Sequence, residues 1–513
     1  MSLPSNAEQK AAAAAILDRL SRAGAIPGGA SDDSRTVRAG DLFLALADDQ
    51  AQNVCHINEA FARGACAALW EEGADPQMQG DWKLPHLAVR NLKALAGPIA
   101  HAVYGNPGAR LALVAVTGTN GKTSITQWLA QALEQVPALR RCAVIGTLGA
   151  GFPGAMEETG LTTPQAPTLA RCLAGFAAAG ARVCALEASS IGIAEGRMNG
   201  AQVEIAVFTN LTRDHLDYHG SMDDYAAAKE ALFHWPGLST AIANLDDPFG
   251  ARLLATTGAA RKIGFTLGEM LSGCGNVDLL LRAEALRSAG DGLEFVLVTP
   301  AGRLKISSKV FGRYNVANLL AVAAVLLALG VAAEELPPLL SGLEPPPGRM
   351  QPVHERQAQG EDEPLVLVDY AHTPDALANV LEAIRETAAL RGGRTFCVFG
   401  CGGGRDRGKR RQMGEIAARL ADELIVTSDN PRNEDPLEII AEILTGAPQA
   451  EAIPDRAAAI RAAVSRAGTR DVVLLAGKGH EATQEIAGLK IPFSDAQHAS
   501  AALADWHTGA RSC

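Results

Sequence analysis

The chain has 513 residues, of which 48% are hydrophobic and 4% aromatic, and a formal net charge of -11. Such a length exceeds one ordinary core and implies about three units; the acidic balance disfavours a nucleic-acid-binding face, and no apolar run reaches the roughly 20 residues needed to cross a bilayer. Nine cysteines without a repeated spacing argue against a disulfide framework, and MSLPSNAEQK has no basic-then-apolar leader, so a cytoplasmic protein without nucleic-acid or membrane partners is expected.

Up to about residue 107, short apolar strands such as DLFLAL (41–46) and ACAALWE (65–71) alternate with helical stretches, and YGNP (104–107) closes the region with a turn. The next segment, VAVTGTNGKTSIT (114–126), reads as a buried strand passing through a glycine turn into a helix. Gly118 and Gly121 let backbone N–H groups approach an anion, Lys122 adds a point charge, and the Thr123 hydroxyl can hold Mg2+ beside phosphates. Val116 stands where the general phosphate-loop pattern has glycine, so TGTNGKT is a variant of it. Strands VCALEA (183–188), IAVFTN (205–210) and TAIANL (240–245) follow, each ending in polar residues, and ligands gather at such carboxyl ends in a parallel sheet. Helix NVANLLAVAAVLLALG (315–330) closes this second region.

LEPPPGRM (343–350) cannot continue a helix and reads as a linker. Four more strands, LVLVDY (365–370), TFCVFG (395–400), ELIVTSDN (423–430) and DVVLLAGKG (471–479), describe a second doubly wound α/β unit. The predicted division is 1–107, 108–343 and 344–513.

Several polar groups stand out by type and position. Glu187 ends a strand before Ser189 and is equally readable as a helix cap or a cation ligand. Asn210, Asp214 and His215 in TNLTRDHLDYHG share the next strand end, where hard oxygens and an imidazole suit Mg2+. Lys229, in DDYAAAKEALF, reads by pattern alone as a solvated helix lysine. The run GGGRDRGKRR (402–411) is a basic cluster that could meet an anionic small molecule.

TGTNGKT, LEASS, TNLTRDHLDYHG, YAAAKEALF, ANLDDP, PPPGRM, VDYAHTPDAL, GCGGGRDRGKR, SDNPR and GKGHE occur in the order of the Mur ligase family, which the chain resembles over nearly its whole length. The resemblance implies a three-domain α/β architecture: a UDP-substrate domain, a central P-loop-like ATPase domain and a carboxyl-terminal Rossmann-like domain for the incoming amino acid. It implies an ATP-dependent amide ligase of peptidoglycan synthesis, acting with Mg2+ on UDP-MurNAc-L-Ala-D-Glu and meso-diaminopimelate, and a monomer is expected.

Carried over by motif, Gly118, Thr119, Asn120, Gly121, Lys122, Thr123 and Ser124 would hold ATP phosphates, with Asn244, Arg349, Asp369 and His372 near the nucleotide. Lys229 matches a lysine that the family carries as a carbamate, which would join Thr123, Glu187 and His215 around Mg2+ and set the pattern reading aside. Lys122, Glu187, His215 and Lys229 are the expected catalytic set. The UDP-substrate positions are Ser34, Asp49, Gln50, Ala51, Thr162, Thr163, Ser189, Glu195 and Arg197; here Asp49, Ile191 and Glu195 depart from the residues common in relatives. Arg405, Asp429, Asn430, Pro431, Arg432, Gly477 and Glu481 match the amino-acid contacts. In the family DNPR accompanies meso-diaminopimelate, and a planar guanidinium can grip its second carboxylate bidentately. Glu481 could meet the distal ammonium. The tail IPFSDAQHA departs from the family pattern and gives Asp495 no role. The rival readings are a sibling ligase using another acid or amine, and a phosphate-loop switch or transport ATPase that makes no bond.

Overall fold

The computed structural model describes residues 6–73, 82–268, 277–289, 292–354, 363–404 and 406–509. Three sheets follow one another along the chain. The first is a four-stranded parallel sheet of Gly29–Ser31, Asp41–Ala45, Ala67–Glu71 and His86–Val89.

The second sheet has eleven strands. At its centre Ala112–Thr117 lies between Val203–Phe208 and Val183–Glu187, all parallel, with Thr240–Asn244 and Arg261–Thr266 continuing on one side and Cys142–Gly146 on the other. Antiparallel strands extend both edges. Apolar runs such as Val114–Val116 are buried on both faces, as a covered parallel sheet requires. Helix Arg313–Ala328 is apolar nearly all round and sits inside one of these layers, with Leu319, Leu320, Val322, Val325 and Leu326 fully buried. Each such side chain contributes about 1.5–3 kcal/mol of burial, so the long apolar run belongs to a core. No helix among the described residues is long and apolar enough to cross a membrane.

The third sheet has the order Gln351–Val353, Leu365–Asp369, Val472–Ala476, Thr395–Phe399, Glu423–Val426 and Glu451–Ala452, parallel except for its first strand. A hairpin of Thr483–Ile486 and Leu489–Pro492 stands beside it. The long strands read from the sequence are all present; most end one to four residues earlier than read, ACAALWE starts two residues later at Ala67, and IAVFTN starts two residues earlier at Val203.

One expectation fails here. The basic run after Gly402 is largely neutralised from within: Arg410 is buried and donates to Glu434 and Glu442 at 2.9–3.0 Å, Arg407 pairs with Glu442, Arg411 with Glu415, and Lys409 Nζ donates to the His372 carbonyl at 2.9 Å. Among the described residues its charge therefore fastens helix Gly408–Leu420 to helix Pro436–Leu444 and forms no open anion-binding face.

Candidate active site

Strand register assembles the phosphate loop. Val116 pairs with Glu187 on one side and Thr117 with Phe208 on the other, so the loop leaves the sheet between an acidic strand end and the Thr209–Asn210 turn. Gly118 and Gly121 have φ of +146° and +90°; a Cβ on Gly118 would run into Thr209, and one on Gly121 into Asn318. Asn210 fixes the loop by accepting from Thr119 N through its carbonyl at 2.8 Å and from Asn120 N through Oδ1 at 2.9 Å. Helix Lys122–Leu133 begins there, directing its free N–H groups at the turn. Lys122 Nζ donates to the carbonyls of Gly118 and Thr119 at 2.7 and 2.8 Å. Burial lowers its pKa, opposed by Glu187 and Asp214.

Glu187 is 1% exposed and both its carboxylate oxygens face donors: Oε2 accepts from Thr123 Oγ1 at 3.0 Å and Thr147 Oγ1 at 3.1 Å, Oε1 from Thr147 N at 2.9 Å. The following helix is capped by Ser189 and not by Glu187, so the helix-cap reading of Glu187 fails. The solvated-lysine reading of Lys229 fails outright, because Lys229 is 1% exposed. Its Nζ lies 4.1 Å from the centre of the Tyr225 ring and has no hydrogen-bond or ion-pair partner among the described residues. Burial, reinforced by Lys122 and opposed by Asp214, pushes its pKa well below the usual lysine range. A ring face offers a desolvated cation about 2 kcal/mol or more, which offsets only part of the cost of burying the ammonium. His215 adopts φ +53°, a left-handed conformation uncommon for histidine, and its Nε2 is 3.5 Å from Asp214. Burial lowers its pKa against the pull of Asp214, keeping the imidazole neutral with a lone pair to offer.

The third sheet closes the cleft from across the linker. Arg349 Nη2 donates to Thr123 Oγ1 at 3.3 Å and its guanidinium stacks 4.6 Å from the Tyr370 ring centre. Asp369 accepts from Met350 N and Ala371 N, both at 2.8 Å, and burial raises its pKa to about 6. His372 Nδ1 donates to the Tyr370 carbonyl at 2.8 Å, which fixes the tautomer and leaves Nε2 unprotonated. Asn244 donates to the Thr209 carbonyl at 3.0 Å. These groups, Thr119 to Ser124, Glu187, His215 and Lys229 line one cleft of about 490 Å3.

Thr162 and Ser189 line the same cleft, and hydroxyls join it to Glu187: Thr162 bonds Thr147 at 3.2 Å, and Thr163 bonds Ser189 at 2.8 Å and the Glu187 carbonyl at 2.7 Å. Arg197 Nη1 donates to the Thr163 carbonyl at 3.0 Å, and Glu195, one of the departures, holds the Arg197 guanidinium by two bonds of 2.6–2.8 Å. The first-sheet candidates stand apart from the cleft. Ser34 donates to Glu59 at 2.7 Å; Asp49 caps helix Gln50–Ala62 by accepting from Ala51 N at 2.9 Å.

The amino-acid candidates form a second cluster at the carboxyl edge of the third sheet. Asn430 Nδ2 donates to Glu481 Oε2 at 2.7 Å, and Gly477 leaves its strand with φ +113° beside Asp429. The Pro431 carbonyl accepts from Glu434 N at 3.0 Å. Arg432, at φ +53°, donates through Nη1 to the Gly403 carbonyl at 2.5 Å and has Nε 3.6 Å from Glu485. Arg405 lies outside the described residues.

Sequence reasoning missed Thr147, Tyr225 and the buried pair Arg456–Asp495. Tyr225 stands one helical turn before Lys229, a spacing that places both on one face and could have been read. Asp495 holds Arg456 by two bonds of 2.6–2.7 Å, and Arg456 donates to the Ala476 carbonyl at 2.9 Å, just before Gly477.

A phosphate loop set between two polar strand ends and faced by a second α/β unit defines a nucleotide-using enzyme. A model described as the Mur ligase middle domain matches residues 116–326, and one described as Mur ligase, glutamate ligase domain matches 348–479. A protein of Acidovorax sp. (strain JS42) named UDP-N-acetylmuramoyl-L-alanyl-D-glutamate--2,6-diaminopimelate ligase is 48% identical over 490 residues, 93% of this chain and 95% of its own. A solved structure of a ligase of that name is 34% identical with a TM-score of 0.66, covering 94% of this chain and 95% of the other. The MurF ligase from Thermotoga maritima in complex with ADP is 17% identical with a TM-score of 0.65, covering 96% and 99% respectively, and shares the fold. The chain belongs to the Mur ligase family.

Proposed function

We propose that this chain is the ATP-dependent amide ligase that adds meso-diaminopimelate to the D-glutamyl γ-carboxylate of UDP-MurNAc-L-Ala-D-Glu in peptidoglycan precursor synthesis. The observation that carries the reading is that two cations from different α/β units line one cleft at the same phosphate loop, Lys122 bonded to the Gly118 and Thr119 carbonyls and Arg349 to the Thr123 hydroxyl. Its full-length relatives bear the corresponding name.

The substrate carboxylate takes the γ-phosphoryl group of ATP, the amine attacks the resulting acyl phosphate, and phosphate departs. Lys122 and the loop N–H groups stabilise charge on the transferring group. Arg349 reaches the same phosphates from the third unit, while Asn244, Asp369 and His372 hold the nucleotide. Thr162, Thr163, Ser189 and Arg197 position the acid, and Ser34 with residues 49–51 meets the UDP end. Asp429, Asn430, Arg432, Gly477 and Glu481 present the amine, with Arg432 on the distal carboxylate. Closure of the units 1–107, 108–343 and 344–513 excludes water from the acyl phosphate.

The donor set fits Mg2+. Glu187 and Thr123 are adjacent hard oxygens, burial favours the neutral, ligating form of His215, and the lowered pKa of Lys229 favours the free amine, which can take up CO2 to become an oxygen ligand. Mg2+ held there supplies Lewis-acid neutralisation of phosphate charge. A monomer working in the cytoplasm, where ATP is supplied, is the corresponding reading.

Phosphate release measured with each combination of ATP, UDP-dipeptide and candidate amino acid tests the reading. Release that requires both UDP-MurNAc-L-Ala-D-Glu and meso-diaminopimelate supports it. Release with ATP alone would identify a switch or transport ATPase, and release driven by lysine or by another acid a sibling ligase.

A further inference from the structure

The lysine of GKGHE has no part in the chemistry above, yet its ammonium is fully bonded inside the third unit. Lys478 is fully buried, and its Nζ donates to Asn430 Oδ1 at 3.0 Å, Glu481 Oε2 at 2.9 Å and the Thr483 carbonyl at 2.8 Å. An ammonium has three donors, and all three are used. One side chain thus joins the SDNPR loop, the GKGHE loop and the first strand of the hairpin.

These bonds dictate how the neighbours face. Asn430 Oδ1 accepts from Lys478 and from Glu485 N at 3.0 Å, so its Nδ2 must point the other way, where it donates to Glu481 Oε2 at 2.7 Å. Glu481 Oε2 thereby has two donors, whereas Oε1 has none among the described residues and the side chain is 31% exposed. We propose that Lys478 is a positioning residue of the amino-acid site: it locks Asn430 and Glu481 so that Glu481 turns Oε1 to the ammonium of the incoming amino acid. Lys478 is itself sealed from that ligand and acts only through its partners. This inference rests on the proposed function, in which Asn430 and Glu481 hold the amine.

The test uses the full-length enzyme with all three substrates. Wild type must first show release dependent on meso-diaminopimelate; if it does not, the proposed function fails and not the role of Lys478. Lys478→Met keeps the stem and removes the three bonds. Loss of charge-assisted bonds at a pre-set site is expected to raise KM for meso-diaminopimelate about tenfold or more, with the KM values for ATP and UDP-dipeptide unchanged. Combined with Glu481→Gln, it should cost clearly less than the product of the two single penalties, since Lys478 works in part through that carboxylate. Lys478→Gln, which keeps two of the three donors on a shorter stem, serves if Lys478→Met does not fold. A fall in kcat with KM for the amine unchanged, or penalties that multiply in the double variant, would mean that Lys478 only stabilises the domain and would overturn the inference.

Discussion

The Thr123 hydroxyl donates to Glu187 Oε2 at 3.0 Å, coupling the first turn of the phosphate-loop helix to the carboxyl end of the neighbouring strand. Phosphate charge and cation charge are thereby handled on one short span. Lys122→Ala and Glu187→Gln should each reduce phosphate release at least about a hundredfold, because the first removes a cation aimed at the transferring group and the second a carboxylate proposed to hold Mg2+. Glu187→Gln keeps the volume and one acceptor for Thr147, so circular dichroism and the thermal midpoint should stay near wild type. Turnover within a few-fold of wild type in either folded variant rejects the assignment.

Lys229→Ala should be nearly inactive and partly restored by formate or acetate. The truncation opens space beside the Tyr225 ring in which a small carboxylate can supply the oxygens that a carbamate would have supplied. Rates measured against acetate concentration should rise and saturate. A flat response over that range, or full activity without acetate, counts against a carbamate at this position.

Arg432 is the expected reader of the amino acid, although its backbone carries a second possibility. Its N donates to the Glu485 carbonyl at 3.0 Å and its φ is +53°, so it also shapes the turn against the hairpin. Arg432→Ala leaves the backbone bonds intact. Loss of a desolvated guanidinium–carboxylate contact costs about 2–5 kcal/mol, so kcat/KM for meso-diaminopimelate should fall steeply while that for lysine, which has no distal carboxylate, falls far less. An equal fall for both amino acids would assign Arg432 to loop shape alone.

His101 offers a pH prediction remote from the chemistry. It is 2% exposed on helix Leu92–Val103, its Nε2 has no hydrogen-bond partner among the described residues, and burial followed by the charge of Lys10 lowers its pKa to about 4 from 6.5. Between those values the unfolded chain takes up a proton that the folded one refuses, so stability contributed by the neutral imidazole is full above about pH 6.5 and lost as pH falls toward 4. The whole loss approaches about 3 kcal/mol. His101→Leu should therefore narrow the gap between thermal midpoints at pH 7 and pH 5; an unchanged gap refutes it.

The strand–loop–helix at Ala112–Leu133 was legible because local chemistry dictates it: β-branched residues in the strand, glycines where φ is positive, and a helix former beyond. Lys229 was not legible from its own helix, whose sequence lacks an apolar stripe. Its burial comes from the turn at Ser190–Ala194 and from Tyr225, contacts that only the folded chain makes. Resemblance supplied what pattern could not. The basic run after Gly402 misled for the opposite reason: the carboxylates that neutralise Arg410 lie 24 and 32 residues further on. Arg456 and Asp495, 39 residues apart, carry no local sign of each other.

That last pair bears on how the protein is made. During synthesis the guanidinium of Arg456 emerges well before its carboxylate partner, and both are fully buried once paired. A buried charge without its counterion costs several kcal/mol, so the third unit gains its final packing only when helix Asp495–His507 has left the ribosome. A chain terminated before Asp495 would contain every motif of the ligase and would still lack the group that lets the strand ends at Ser428 and Ala476 settle. The last helix is a folding checkpoint as well as a covering for the sheet.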